Sequence, residues 1–195
     1  MKLVLGSSSP YRRKLLQKLP VTFEVYSPDI DETPLTGEQP DALVERLSNA
    51  KARAVAKAHP DALIISSDQI AIFEDNILGK PGNHSAATEM LTAFSGKTVR
   101  FETGLCLYNA VTATSQYCSV PTLVHFRELS ARTIEHYLQI DQPYQCAGSF
   151  QAEGLGIVLF DKLESQDPNA LIGLPLIELV SMLINEGVDV LTDWA

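Results

Sequence analysis

Ala62-Leu63-Ile64-Ile65-Ser66-Ser67-Asp68-Gln69-Ile70-Ala71-Ile72-Phe73 decides the fold. Apolar residues flank four polar ones on both sides. Such flanks imply a buried strand, so the carboxylate of Asp68 lies inside or at a cleft. An unpaired buried carboxylate is costly, so Asp68 calls for cations, donors or a metal ion. An aspartate capping a neighbouring helix would meet that need, but four polar residues in a row ask for more than one cap. In a regular strand Asp68 and Gln69 point to opposite faces, so the strand must bend there if both line one site.

Outward from this strand, the elements alternate. Leu3-Val4-Leu5 reads as a short buried strand, followed by a helix opened by Ser9-Pro10, with serine as cap and proline in the first turn. Phe23 to Tyr26 is predicted as a strand, 27–39 as a polar connection, and Asp41 to Ala58 as a long helix. Asp75-Asn76 is read as a turn and Ile77 to Lys80 as the return arm. A helix is expected over 84–94. Two long β segments, Thr98 to Thr112 and Gln116 to Arg127, are antiparallel if they pair. Ser130 caps a helix to about Leu138, Ile157 to Phe160 reads as a strand, and the last helix starts near Pro175. Helices interleaved with strands, plus an antiparallel pair, predict a mixed α/β sheet flanked by helices.

The chain has 195 residues, 45% hydrophobic and 20% charged, which excludes a disordered or collagen-like chain. The length fits one domain over 1–195, or two tightly fused lobes. With 15 Lys+Arg against 24 Asp+Glu the net charge is −9, which argues against nucleic acid or anionic membrane as partners. Three scattered cysteines without a Cys-x-x-Cys give neither a disulfide framework nor a zinc knuckle, and point to a reducing compartment. No stretch reaches the ~20 apolar residues that span a bilayer. The expectation is a cytoplasmic protein.

Several residues can carry chemistry. Gly6-Ser7-Ser8-Ser9-Pro10-Tyr11-Arg12-Arg13 runs from strand through serine loop to helix. Exposed N–H groups, serine hydroxyls (Ser7, Ser9) and the forked cation of Arg12 suit an anion. Taken alone, a capped helix with surface arginines is the simpler reading. Val44, Leu47, Lys51 and Val55 form one helical stripe, so Lys51 either snorkels outward or meets an anion. Lys80 shares a face with Asp68 if the hairpin loop has three residues and takes the other face if it has two; an edge-guarding lysine is the alternative. Glu32 can join Asp68 on a hard cation, although from spacing alone a solvated loop charge is the stronger reading. Glu153, in a Gly-flanked turn, is a recognition acceptor or simply exposed. The four histidines have no ligand spacing.

In this order, Ser7-x-Ser9-Pro10 with Arg12, Asp31-Glu32, Lys51-Ala52-Arg53, Ser67-Asp68-Gln69, Gly79-Lys80-Pro81, Ala147-Gly148-Ser149-Phe150 and Gly173-Leu174-Pro175 resemble the Maf family of nucleotide pyrophosphatases, nearly end to end. The resemblance implies two lobes around a cleft, as in inosine-triphosphate pyrophosphatases, and hydrolysis of a nucleoside triphosphate to monophosphate and pyrophosphate with a divalent metal, Mg or Mn. It assigns the general base to Asp68. It assigns the phosphate and metal sites to Ser7, Arg12, Glu32, Lys51 and Lys80, with Glu32 and Asp68 on the metal. Asp68-Gln69 with Ser149-Phe150-x-x-Glu153 resembles the branch acting on 7-methyl-GTP, where preference is tied to positions matching Arg12, Gln69 and Glu153. The alternatives are the dTTP/UTP branch, or a non-catalytic nucleotide-binding protein in division control. The family also implies a homodimer, for which the β segments at 98–127 can offer an edge. Ala50 departs from the pattern: many members carry glutamate there, which bears on structural pairing and not on catalysis.

Overall fold

The computed structural model describes residues 2–192, and these residues form seven strands and five α-helices. They fall into two compact units. The first takes the chain up to Asp68, Thr103–Val120 and the chain from Asp167 onward. The second takes Gln69–Glu102 and Pro121–Gln166.

In the first unit, β1 (Lys2–Gly6) is the central parallel strand. It pairs with β2 (Glu24–Tyr26) on one side and with β3 (Ala62–Phe73) on the other, Leu3 opposite Leu63 and Leu5 opposite Ile65. Alternation sorts the side chains. Leu3, Leu5, Leu63 and Ile65 pack with Leu15 and Leu16 of α1 (Pro10–Leu16) and with Leu176, Leu179 and Leu183 of α5 (Leu176–Asn185). Val4 and Ile64 pack with Ala52 and Val55 of α2 (Pro40–Ala56). A parallel sheet needs both faces covered, and these near-continuous apolar runs meet that demand. Helix α2 lies close on the sheet because Gly104 has no side chain: a Cβ there would stand 2.5 Å from Val44 Cγ1 and 2.7 Å from Ser48 Oγ.

The full strand order is β2-β1-β3-β5-β6-β7, with β4 (Asn76–Leu78) beside β3. Strands β5 (Thr98–Asn109) and β6 (Thr114–Phe126) are joined by four residues, which only antiparallel neighbours permit. Strands β3, β5 and β6 each give one half to each unit. Strand β5 is interior, so the edge expected from 98–127 reduces to β6, which pairs with β7 (Phe160–Ser165) from Thr122 onward.

The second unit is built on phenylalanines. Phe94, at the end of α3 (His84–Phe94), Phe101, Phe126, Phe150 and Phe160 meet at centroid distances of 4.8 to 5.7 Å, mostly edge-to-face. Such geometry suits the ring quadrupole. Helix α4 (Ala131–Asp141) is capped by Ser130.

Two elements differ from the sequence expectation. Ile157 to Phe160 is not a strand: Leu155–Leu159 coils as a 3-10 turn and β7 begins at Phe160. The amide of Gly156 donates to Gln151 O at 3.1 Å, which curls the segment and leaves Ile157 and Val158 54% and 47% exposed. The hairpin after β3 turns on Glu74-Asp75, not Asp75-Asn76. Phe73 pairs with Asn76, and both turn residues have positive φ, 49° and 64°. That is the two-residue turn whose twist matches a hairpin. Its register removes the three-residue option that would put Lys80 on the Asp68 face, and Lys80 lies exposed beyond the end of β4. All three cysteines are free. Among the described residues no helix is long and apolar enough to cross a membrane.

Candidate functional site

The chain leaves β1 through α1 toward β2 and reaches β3 through α2, and these helices cover opposite faces. The carboxyl ends of two such parallel neighbours are where open α/β sheets bind ligands. Gly6-Ser7-Ser8-Ser9 leaves one of these ends, and Ser66-Ser67-Asp68 lies at the other.

Alternation along β3 sends Ser66 and Asp68 to the α2 face and Ser67 to the α1/α5 face. Ser66 Oγ donates to Ser48 O at 2.7 Å. Lys51 Nζ donates to Asp68 Oδ1 at 2.5 Å, and both side chains are only 10% exposed. The stripe of Val44, Leu47, Lys51 and Val55 is buried as the periodicity requires, and Lys51 meets an anion instead of snorkelling. The same ammonium contacts Glu32 Oε1 at 2.8 Å. An apolar pair of similar size would hold the core as well, so the fold alone gives no reason for these charges.

Glu32 stands in the 27–39 connection, which is tied down. Arg46 of α2 grips Glu38 with Nε at 2.6 Å and Nη2 at 2.8 Å, and Nη2 also donates to Thr33 O at 3.1 Å. The guanidinium fork, with the Leu35 amide, holds the Glu38 carboxyl down at about 2. Sequence reasoning missed Arg46, because an acid and an arginine eight residues apart carry no pattern.

On the other face, Arg12 Nε donates to the carbonyl of Gly173 at 2.8 Å, and its Nη groups have no partner among the described residues. Burial pushes the Arg12 pKa down, while the charges of Asp68 and Glu32 act in the opposite direction. Ser9 Oγ caps α1 by accepting from the Arg12 amide at 3.3 Å, and Ser7 Oγ accepts from the Ser9 amide at 3.1 Å. Each hydroxyl keeps its O–H as a donor.

The structure thus joins Lys51, Asp68 and Glu32 in direct contact, with Arg12 within their field. Gln69, Lys80 and Glu153 belong to the second unit. Gln69 follows Asp68 on the unbroken β3, and Glu153 is exposed in the turn before Gly154. Ser67 and Gly173 stand in motifs that resemble the family, but their contact was not foreseen, because a main-chain acceptor has no side chain to signal its role. Arg53 is exposed.

The donor set fits a hard divalent cation. Two carboxylate oxygens already converge on one positive centre, the Lys51 nitrogen. No cluster of three or more His, Cys, Asp or Glu that could hold a metal occurs among the described residues. Two carboxylates with water and substrate oxygens making up the remainder is the coordination habit of Mg²⁺.

The fold is similar to a solved structure of the Staphylococcus aureus Ham1 protein, with a TM-score of 0.56 over 96% of this chain and 100% of that one, at 16% identity. The chain matches the family model described as Maf-like protein over residues 2–186, and it belongs to the Maf family. Its relatives include proteins named 7-methyl-GTP pyrophosphatase. That of Nitrosospira multiformis is 57% identical, covering 97% of this chain and 96% of its own length. That of Colwellia psychrerythraea is 52% identical, covering 98% and 96%.

Proposed function

We propose that this chain, as one pyrophosphatase domain, hydrolyses a nucleoside triphosphate to the monophosphate and pyrophosphate, with 7-methyl-GTP as the preferred substrate. The observation that carries the chemistry is the buried Asp68 carboxylate within β3, just past its pairing with β1, held by Lys51 at 2.5 Å, with Glu32 on the same ammonium. The substrate follows from the relatives' names and from Gln69 and Glu153.

Asp68 orients a water toward the α-phosphorus and takes its proton. Lys51 and Arg12 neutralise the polyphosphate and the charge that develops on the departing pyrophosphate. Ser7 and Ser9 supply hydroxyl donors. Glu32 and Asp68 would hold the divalent cation, which supplies further charge neutralisation when bound. Gln69 and Glu153 read the base. A 7-methylated guanine is cationic, so a carboxylate such as Glu153 suits it and can also accept from N1–H and the amino group.

The test is turnover across canonical and methylated triphosphates, with and without Mg²⁺ or Mn²⁺. The expected result is pyrophosphate release with the highest kcat/KM for 7-methyl-GTP. Preference for dTTP or UTP would overturn the base assignment and leave the chemistry. Tight binding without turnover would overturn the enzyme.

A further inference from the structure

We infer that the main-chain carbonyl of Gly173 is a positioning group for Arg12, fixing which edge of the guanidinium is offered to phosphate; this rests on Arg12 binding phosphate, as proposed above. The carbonyl accepts two hydrogen bonds at 2.8 Å, one from Arg12 Nε and one from Ser67 Oγ. These fill both of its lone pairs. With Nε–H committed, only the Nη groups of Arg12 remain, and these are the groups that lack a partner among the described residues.

The turn carrying this carbonyl is fixed from several sides. The Asp167 carboxylate, 1% exposed as a residue, accepts from Asn169 N at 2.7 Å, Asn169 Nδ2 at 3.0 Å and Ile177 N at 2.6 Å. It thereby ties the start of the turn to the first turn of α5. Thr103 Oγ1 donates to Ala170 O at 3.0 Å from β5. Gly173 has φ of 118°, a conformation that disfavours any side chain, and a Cβ there would stand 3.2 Å from Arg12 Nε.

The choice of acceptor is chemically apt. A carboxylate in place of the carbonyl would orient the arginine but would cancel the charge the phosphates need. A neutral carbonyl orients without neutralising. Ser67 is the residue before Asp68, so one oxygen sets Arg12 relative to the strand that carries the proposed base.

The experiment combines Gly173→Ala, Ser67→Ala and Arg12→Ala, singly and in pairs. It reads kcat and KM for the triphosphate, and hydrogen exchange of the Arg12 Nε–H by nitrogen-15 NMR. Gly173→Ala is expected to raise KM about tenfold, the scale of one charge-assisted hydrogen bond, with kcat changed little. Ser67→Ala should raise KM about threefold by the weaker route of loosening the carbonyl. Neither should add anything in an Arg12→Ala background, because the strut acts only through that side chain. The Nε–H should lose its protection in Gly173→Ala. Wild-type KM in both Gly173→Ala and Ser67→Ala, beside an impaired Arg12→Ala, overturns the strut alone. Additive penalties in the Arg12→Ala background do the same, by showing a general structural effect. Wild-type KM in Arg12→Ala overturns the phosphate role of Arg12 and the strut with it. Should Gly173→Ala fail to fold, the Ser67→Ala pair decides by the same criteria.

Discussion

In the first unit Lys51 and Asp68 meet inside a core of leucine, isoleucine and valine, both side chains nearly hidden. In the second unit, five phenylalanines fill the interior and Arg127–Asp161, His125–Glu164 and Lys162–Glu164 lie along the surface. The same residue types thus serve opposite ends. Burying a charge carries a desolvation penalty that its partner only partly offsets, whereas a surface pair carries almost none. A nearly hidden pair of opposite charges in the first unit marks where the chemistry lies; in the second unit the buried Glu102 faces Arg100 at 3.7 Å, and that arginine is 39% exposed.

The comparison breaks most directly at Asp68. Asp68→Asn removes the proposed base, and turnover should fall about 10³-fold. Stability separates from activity in a second pair of variants. Lys51→Met leaves Asp68 buried without its cation and should cost about 3–5 kcal/mol in denaturant unfolding. The double variant Lys51→Met with Asp68→Leu should recover most of that loss and stay inactive. An active double variant would mean that the buried charges do not carry the reaction.

The phenylalanine core of the second unit should respond through packing. Phe150 touches Phe101, Phe126 and Phe160 at centroid distances of 5.3, 5.7 and 4.8 Å. Phe150→Ala should cost about 3–5 kcal/mol, read as a lower denaturant midpoint with the slope kept. A loss below about 1 kcal/mol would mean the cluster collapses around the void.

What the sequence discloses follows the same division. Ala62–Phe73 is legible to its ends because apolar residues on both sides of four polar ones fit only a buried strand. The Val44, Leu47, Lys51, Val55 stripe is legible because helical spacing places an ammonium among apolar neighbours, although the identity of its anion is not. Strand β7 is illegible: Asp161, Lys162 and Glu164 sit on an exposed edge, while the apolar Ile157 and Val158 beside it look more like a strand and are not one. The hairpin register at Lys80 is hidden because Glu74-Asp75 adopts a turn usually signalled by Asn-Gly. The Gly173 carbonyl and the Arg46 clamp are hidden because backbone acceptors and loop contacts between distant residues have no period.

The clamp on the loop that carries Glu32 titrates. Arg46 and the Leu35 amide hold the Glu38 carboxyl at about 2 against an ordinary 4.5. A depressed folded value means the unfolded chain binds the proton more readily. The stabilisation is therefore complete above about 4.5 and is lost as pH falls from there toward about 2. Amide exchange at Leu35, which donates to Glu38 Oε2 at 2.9 Å, should quicken across that window. Glu38→Gln should flatten the response. An unchanged profile in Glu38→Gln would assign the acid sensitivity to another group.

The smallest effect is the one that holds the contrast together. Arg127 Nη1 and Asp161 Oδ1 meet at 2.8 Å, close enough for a good ion pair, yet their side chains are 54% and 59% exposed. Water already solvates both charges, so the pair gains little Coulomb energy and must still order two side chains. Arg127→Ala should change stability by less than about 1 kcal/mol, and added salt should shrink even that. The distance is close to that of the Lys51–Asp68 pair, so the two variants differ mainly in burial. A penalty in Arg127→Ala equal to that of Lys51→Met would mean that distance rather than desolvation sets the energy of these pairs, and the first unit's buried charges would lose their claim to be exceptional.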